Sequence, residues 1–437
     1  MSEKNISTES ILRKLKIKAL NTMQEKAISA ISSSKEIILL SPTGTGKTLA
    51  FLLPLISELK ENCNEIQALI LVPTRELAIQ IEAVIREMGS GYKVNAVYGG
   101  RSGSKEKIEL KHSPAILVGT PGRVADHIRR ERFSTKKIST LILDEFDKSL
   151  EIGFKKEMQE IIVELTGVKK KILTSATKDI EIPGFINLKE PIEIDFSNES
   201  VSKLKTKIVV SPDKNKLKTL VELLSNIGNK RGVVFCNFKD TIQYVCNYLS
   251  DRGISYGIYN GGMEQQDREL TLIKFRNGTY NLIIATDIAA RGIDIPELEF
   301  IIHYQLPVKE KEFIHRNGRT ARMNNKGTAY ILKWENENLP DFIREDTEQE
   351  KIKKSSIPEQ TEWKTIFING GRRDKISKGD IAGLFFKQGK LQNNELGIIE
   401  LKQNATYVAV HKSKVDFIIN TFNNTRIKKK KVRLSIC

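Results

Sequence analysis

The chain reads as two tandem doubly wound α/β domains with parallel sheets, followed by a small ferredoxin-like α+β domain. Three observations predict this. Short apolar runs without alternation recur through the first 335 residues, which suits strands buried on both faces of a parallel sheet. Stretches of helical spacing separate them. After residue 360 the order becomes strand, helix, strand, strand, helix, strand, a split βαβ pattern.

In the first domain, residues 1–200, the runs are Ile37 to Leu40, Ala68 to Val72, Ala115 to Val118, Leu141 to Leu143 and Ile172 to Leu173, with Leu77 to Met88 the clearest helix. In the second, residues 201–335, Gly232 to Phe235, Leu282 to Ala285, Phe300 to His303 and Ala329 to Leu332 read as strands, and Thr241 to Leu249 and Arg268 to Phe275 as helices. Glu335 to Lys354 is nearly all charged or polar with Pro340 inside it, so 336–359 reads as a solvated linker or an exposed helix. The last domain, residues 360–437, places elements near Thr365–Asn369, Ser377–Phe386, Gly397–Leu401, Tyr407–His411, Val415–Phe422 and Lys431–Ile436. Ligands of doubly wound folds bind outside the carboxyl ends of the strands, so the residues there are the candidates.

Composition narrows the function classes. With 437 residues, 39% hydrophobic and 29% charged, the chain can build globular cores and is not broadly disordered. Of the net charge of +17, +10 lies in residues 360–437, which hold 16 Lys or Arg against 6 Asp or Glu. That concentration points to a polyanionic partner, because each cation that meets a phosphate releases a counterion. No run approaches the roughly 18 apolar residues that span a bilayer. The start, Met1-Ser2-Glu3-Lys4, lacks the pattern of a leader peptide, so a cytoplasmic protein is expected. Cys63, Cys236, Cys246 and Cys437 form no Cys-x-x-Cys pair and the five histidines are scattered. Neither a zinc site nor a disulfide framework is expected, and the thiols fit a reducing compartment.

Three motifs carry chemistry. Ser41-Pro42-Thr43-Gly44-Thr45-Gly46-Lys47-Thr48 follows a predicted strand and opens a predicted helix. Its glycines let backbone N–H groups turn toward phosphate oxygens, Lys47 offers a point charge to the β- and γ-phosphates, and the Thr48 hydroxyl suits a magnesium ion. Ser41 stands where the general P-loop has its first glycine. The strand Leu141 to Leu143 delivers Asp144-Glu145-Phe146-Asp147. Asp144 is the natural second partner of magnesium, and Glu145 can orient and deprotonate the attacking water. The third motif is His315-Arg316-Asn317-Gly318-Arg319-Thr320-Ala321-Arg322. Arg319 and Arg322 share a helical face and can meet the charge that builds on a transferred phosphoryl group.

In this order, these residues resemble a DEAD-box RNA helicase from about Asn21 to Gly327. The resemblance implies two RecA-like domains that bind ATP with Mg2+ and act on RNA. It makes Gln24 the adenine-selecting glutamine, and Thr74, Arg75, Gly99, Gly100, Thr120, Gly122 and Arg123 contacts to the RNA backbone. Ser175-Ala176-Thr177, with Asp147 and His315, resembles the machinery that couples hydrolysis to strand separation. Gln265 and Arg268 match a second RNA-contacting pair. Ala285 to Ile295 matches the long motif linking RNA to nucleotide, with Thr286, Arg291 and Gly292 on RNA and Asp294 near the ribose. Phe146 replaces the usual alanine, Asn260 a common histidine and Ala321 a common glycine. Residues 1–20 contain no Phe, Tyr or Trp to stack on adenine, so weaker stacking is expected.

The small domain, over 363–437, resembles the C-terminal RNA-binding domain of bacterial DbpA-type helicases, an RNA-recognition-motif-like fold. The resemblance implies docking on a hairpin of large-subunit (23S-type) ribosomal RNA and a role in assembling that subunit. An ordinary domain of this fold stacks bases on two or three sheet aromatics, but Tyr407 has no aromatic two residues before it. Arg372, Arg373, Lys375 and Lys378 are therefore the expected RNA contacts, with Lys428 to Lys431 in support. The expectation is an ATP-dependent RNA helicase, monomeric, whose C-terminal domain tethers the core near its target. One rival is an ATP-gated RNA clamp or assembly scaffold with little turnover, which only Phe146 suggests. Another is a DNA helicase.

Overall fold

The structure is a computed structural model describing residues 7–42, 44–100, 103–176, 178, 181–197, 204–287, 298–320, 326–353 and 355–437, with backbone alone at 103–105. It divides into two units, Met1–Ser202 and a second that starts at Lys203.

The first unit is built on a seven-stranded parallel sheet: β1 (Glu36–Leu40), β2 (Ala68–Leu71), β3 (Val94–Val97), β4 (Ile116–Gly119), β5 (Thr140–Leu143), β6 (Lys170–Ser175) and β7 (Ile192–Asp195). Their order is β3-β4-β2-β5-β6-β1-β7. Alternate residues of one strand feed opposite cores. Ala68 and Ile70 of β2 pack with Ile81, Ile85 and Phe51, whereas Leu69 and Leu71 pack with Leu117, Leu141 and Ile161. Both faces are thus covered, as the unbroken apolar runs require.

The second unit holds a six-stranded parallel sheet: β8 (Leu204–Ser211), β9 (Gly232–Phe235), β10 (Gly257–Tyr259), β11 (Leu282–Ala285), β12 (Phe300–His303) and β13 (Gly327–Trp334), in the order β10-β11-β9-β12-β13-β8. The sequence reading lacks β3, β7, β8 and β10. These are the two edges of each sheet. None carries an unbroken apolar run of four: Asn95 interrupts β3, β7 alternates as Ile192-Glu193-Ile194-Asp195, Lys205 and Lys207 alternate in β8, and β10 has three residues.

The charged stretch after β13 forms neither a helix nor a fully solvated linker. Phe342 meets the Phe313 ring at 5.5 Å, and Ile343, 6% exposed, packs with Phe313 and Ile331. Ile208 N–H donates to Glu348 O at 2.9 Å and Glu350 N–H returns a bond to Ile208 O at 2.8 Å, so the segment runs along the edge strand β8. Among the described residues no helix is long and apolar enough to cross a membrane.

The same unit ends in an antiparallel sheet of β14 (Trp363–Ile368), β15 (Leu396–Leu401), β16 (Thr406–His411) and β19 (Leu434–Ile436), ordered β15-β16-β14-β19, with a hairpin of β17 (Arg426–Ile427) and β18 (Lys430–Lys431) beside it. Helices Lys378–Lys387 and Val415–Phe422 cover one face, where Ile381, Phe385, Ile418 and Phe422 meet Ile366, Ile368, Val408 and Val410. This is the expected ferredoxin-like arrangement.

Candidate nucleotide site and RNA interface

The backbone of the loop after β1 requires glycine at two positions. Gly44 and Gly46 hold φ of +86° and +88°, a left-handed region that side chains avoid. Space gives a second reason at Gly46, where a Cβ would sit 2.4 Å from Gln24 Nε2. Gln24 is wired into the loop: its Nε2 donates to Gly46 O at 3.2 Å, and Asn21 Nδ2 donates to Thr45 O at 3.0 Å. Asn21 and Gln24 also form a capping box at the start of the helix Thr22–Ser33. The glutamine expected at adenine and the loop expected at phosphate are therefore directly hydrogen-bonded. Ser41, in place of a glycine, is fully buried, and its Oγ lies 2.8 Å from Thr45 Oγ1.

Lys47 opens the helix Lys47–Glu58 and is 7% exposed, with its Nζ on the carbonyls of Ser41 and Pro42. Burial holds its pKa below the ordinary lysine value, an effect that Asp144 and Glu145 oppose. Asp144 ends β5 and is 3% exposed. Its Oδ1 accepts from Thr174 Oγ1 at 2.5 Å and from Glu145 N–H at 3.1 Å. Burial first, and then the Glu145 charge, pushes its carboxyl up to about 6. A carboxylate so placed gains from an added cation. Asp144 and the half-buried Thr48 hydroxyl are hard oxygen donors of the kind that suits magnesium shared with phosphates. Glu145 takes a left-handed φ of +49°, and its Oε2 lies 2.9 Å from Lys148 Nζ, whose side chain is fully buried. Thr174 and Lys148 escaped the sequence reading. The only signal for either was position, one residue before Ser175 and one after Asp147.

Phe146, the departure from the family tetrad, is 1% exposed among Leu143, Met158, Ile161 and Ile186. Its bulk fills apolar core. Asp147 and Ser175 are each 2% exposed, and Ser175 O accepts from Ser41 N–H at 2.9 Å, joining the end of β6 to the glycine loop.

The RNA candidates of this unit sit at the other half of the sheet's carboxyl edge. Thr74 follows β2, Gly99 and Gly100 follow β3, and Thr120 follows β4, three neighbouring strands. Thr74 Oγ1 caps the helix Arg75–Met88 by accepting from Leu77 N–H at 3.2 Å. The Arg75 guanidinium lies on the two glycines; a Cβ at Gly100 would come within 2.7 Å of its Nη1. Gly122 lies in the first turn of the helix Pro121–Arg129. Arg123 is not a free fork: Glu106 Oε2 lies 2.7 Å from its Nη2, and Asp126 Oδ2 3.2 Å from its Nη1. His127 Nε2 shares Glu106 at 2.8 Å.

In the second unit, Thr286 and Asp287 follow β11, and the helix Glu310–Asn317 carries His315 and leads to Arg319, both buried. Arg316, adjacent to the predicted residues but assigned no role from sequence, organises this edge. It forks onto both carboxylate oxygens of Asp287, donates to Gln305 O at 2.6 Å and to Asn237 Oδ1 at 2.7 Å, and lies over the Phe235 ring. One buried guanidinium thus ties the ends of β9, β11 and β12. Gln265 and Arg268 begin the helix Gln265–Arg276, and Arg268 Nη2 donates to Gly261 O at 2.7 Å. Asn260, in place of histidine, accepts from Gly262 N–H at 2.8 Å and shapes the same turn. Thr43, Thr177, Arg291, Gly292, Asp294 and Arg322 lie outside the described residues.

In the C-terminal domain Arg372, Arg373, Lys375 and Lys378 are all exposed. Arg372 and Arg373 lie in a single turn pinned to the β15–β16 hairpin through N–H bonds to Lys402 O and Gln403 O, each 3.0 Å. Gly371 permits that approach, since a Cβ would be 2.6 Å from both carbonyl oxygens. The hairpin lysines join them: Lys428 donates to Lys375 O at 2.6 Å and pairs with Asp380 at 2.7 Å. The sheet also has a second aromatic that adjacency along one strand could not reveal. Phe367 on β14 lies opposite Tyr407, with ring centroids 5.6 Å apart.

The chain matches three known families in succession: DEAD/DEAH box helicase over residues 21–182, Helicase conserved C-terminal domain over 215–324, and DbpA RNA binding domain over 365–436. It is 32% identical to ATP-dependent RNA helicase DbpA of Bacillus subtilis across 94% of each chain. Identity to the protein of that name from Escherichia coli is 31%, over 97% of this chain and 96% of the relative. Of solved structures, S. cerevisiae Dbp5 bound to RNA and ADP BeF3 matches with a TM-score of 0.67 and 26% identity, over 76% of this chain and 88% of that one. Mss116p bound to ssRNA and AMP-PNP matches with a TM-score of 0.68 and 25% identity, over 76% and 73%. Two RecA-like parallel sheets, the glycine loop and acid pair at the strand ends of the first, and these full-length relatives lead to one conclusion: the chain belongs to the DEAD-box ATP-dependent RNA helicases, with a DbpA-type C-terminal RNA-binding domain.

Proposed function

We propose that the protein is an RNA-stimulated ATPase that locally unwinds RNA duplexes, and that its C-terminal domain directs it to a hairpin of large-subunit ribosomal RNA during ribosome assembly. The observation that carries the helicase reading is the order of the first sheet. Nucleotide candidates end β5 and β1, with the coupling residue Ser175 ending β6 between them, and RNA candidates end β3, β4 and β2, so the two ligands share one carboxyl edge and meet at the β2–β5 pair. Family membership and the basic loop of the last domain support the RNA target.

Within this reading, Gln24 selects adenine and the loop Thr43–Gly46 cradles the phosphates through backbone N–H groups. Lys47 leaves its own loop's carbonyls for the β- and γ-phosphates. Thr48 and Asp144 would hold magnesium, which when bound neutralises charge on those phosphate oxygens. Glu145 orients water and takes its proton; Lys148 beside it fixes the carboxylate's direction. Arg319 and Arg322 stabilise the charge on the transferred phosphoryl group, and Asp294 binds near the ribose. Asp147, Ser175, Thr177 and His315 couple hydrolysis to the RNA residues. Thr, Gly and Arg at strand ends grip phosphate and sugar rather than base edges, so the core is sequence-tolerant. A monomer acting in the cytoplasm fits this role. Phe146 gives the clamp reading no support, since the core absorbs its bulk.

Steady-state ATPase activity with no RNA, a generic duplex and a large-subunit ribosomal fragment tests this function. Selective stimulation by the fragment is expected. Equal stimulation by both RNAs would remove the ribosomal target, equal stimulation by matched DNA would remove RNA preference, and no turnover with any of them would leave the clamp.

A further inference from the structure

The C-terminal sheet has two faces, and only one is covered by its own helices. The other carries Thr365 and Phe367 of β14 opposite Ala409 and Tyr407 of β16. In a domain of this fold standing alone, that face meets solvent and stacks bases. Here Thr365 is 0% and Ala409 1% exposed.

The cover is the end of the helix Gln265–Arg276 and the turn that follows. Asn277, itself 4% exposed, donates from Nδ2 to Thr365 Oγ1 at 3.1 Å, and Thr279 Oγ1 lies 2.7 Å from the same hydroxyl. Arg276 forks onto Glu400 of β15, with Nε and Nη2 at 2.6 and 2.9 Å from its two oxygens. Lys274 Nζ donates to Cys437 O at 3.1 Å, Thr361 Oγ1 to Thr279 O at 2.8 Å, and Lys402 pairs with Glu269 at 2.5 Å. Gly278, with φ of +74°, makes the turn against Trp363. These contacts are polar, directional and partly buried, and they come from β14, from β15 and from the residues next to β14, β15 and β19. Such a set defines an orientation, which a flexible linker does not.

The same helix begins with Gln265 and Arg268, about 17 Å and about 12 Å from Arg276 at 1.5 Å per residue. We propose that this sheet face is a docking surface for the second RecA-like domain, and that Arg276 and Glu400 are positioning residues that hold the basic loop at a set distance from Gln265 and Arg268. RNA captured by Arg372, Arg373, Lys375 and Lys378 is then presented to the helicase core in one register. This rests on the loop being an RNA site. It replaces the expected tether, which would raise local concentration without fixing geometry.

The test uses the full chain as wild type, Glu400→Arg, Arg276→Glu and the double reversal, with Glu400→Gln as a milder variant. The substrate is a large-subunit ribosomal RNA hairpin joined to a short duplex by uridine spacers of increasing length. Wild type should unwind with a peak at one spacer length, about threefold or more above the flanking lengths. Each single reversal should flatten the profile, and the double reversal should restore it. Without RNA, amide hydrogen exchange at 277–279 and 365 should be slow in wild type and faster in the single variants. A flat wild-type profile, or Glu400→Arg retaining both peak and protection, overturns the proposal. Hairpin affinity, measured by fluorescence anisotropy, should be equal in all variants. A wild type that does not bind the hairpin removes the RNA reading of the loop and the register with it, while exchange at the joint still decides the docking.

Discussion

The two phosphate-binding candidates of this protein handle charge in opposite ways. In the first RecA-like domain Lys47, Asp144 and Glu145 are 7%, 3% and 9% exposed; Thr174 holds Asp144, Lys148 pairs with Glu145, and Lys47 feels the charge of both acids. In the C-terminal loop Arg372, Arg373, Lys375 and Lys378 all face solvent. Buried charges feel each neighbour strongly, so removing one disturbs the others. Exposed charges are screened and act almost additively on a polyanion. The first arrangement suits chemistry on a small ligand, and the second suits grip on a long one.

This contrast predicts an all-or-none response in the first domain. Lys47→Ala should lower ATP turnover by at least ~100-fold, because a preorganised charge at the reacting phosphate is lost. RNA binding through the loop should be unchanged in the same protein, as read by anisotropy. Unimpaired turnover would break the comparison at its root.

Phe146 sharpens it. If the side chain is core rather than catalytic furniture, Phe146→Ala should cost about 3–5 kcal/mol in urea unfolding of the first unit. Turnover per folded molecule should change little. A loss below about 1 kcal/mol with a large change in turnover would place Phe146 in the chemistry instead.

Burial also acts in the second RecA-like domain. His303 is 0% exposed, and burial, helped by Arg316, pushes its pKa down to about 3. Between that value and the ordinary 6.5, the unfolded chain binds the proton and the folded one does not. Stability should therefore fall as pH drops through this window and be fully present above it. Thermal unfolding of His303→Gln should show a shallower acid limb than wild type; identical limbs would rule out His303 as the cause.

The smallest effect is expected at the loop. Arg372→Ala with Arg373→Ala should reduce the slope of log affinity against log salt by roughly 1.5, from two phosphate contacts. ATPase stimulation by saturating generic RNA should be untouched. An unchanged salt slope would make these arginines solvated charge only.

Legibility in the sequence followed the same division between local and distant. Central strands showed as unbroken apolar runs; the four edge strands did not, because Asn95 interrupts β3, charged residues alternate through β7 and the start of β8, and β10 is three residues long. The glycine loop and the acid pair were readable because each is a contiguous stretch whose backbone and charge needs are its own. Tyr407 looked solitary along its strand, yet Phe367, 40 positions away, faces it across the sheet.

Local periodicity and the order of motifs thus came from the sequence alone, since a run of residues sets its own torsional preferences and its own apolar face. Tertiary structure decided which distant groups satisfy one another: Thr174 on Asp144, Arg316 on Asp287, Asn277 on Thr365. A buried donor or acceptor must find a partner when water is removed. Which partner it finds depends on the order in which strands assemble side by side.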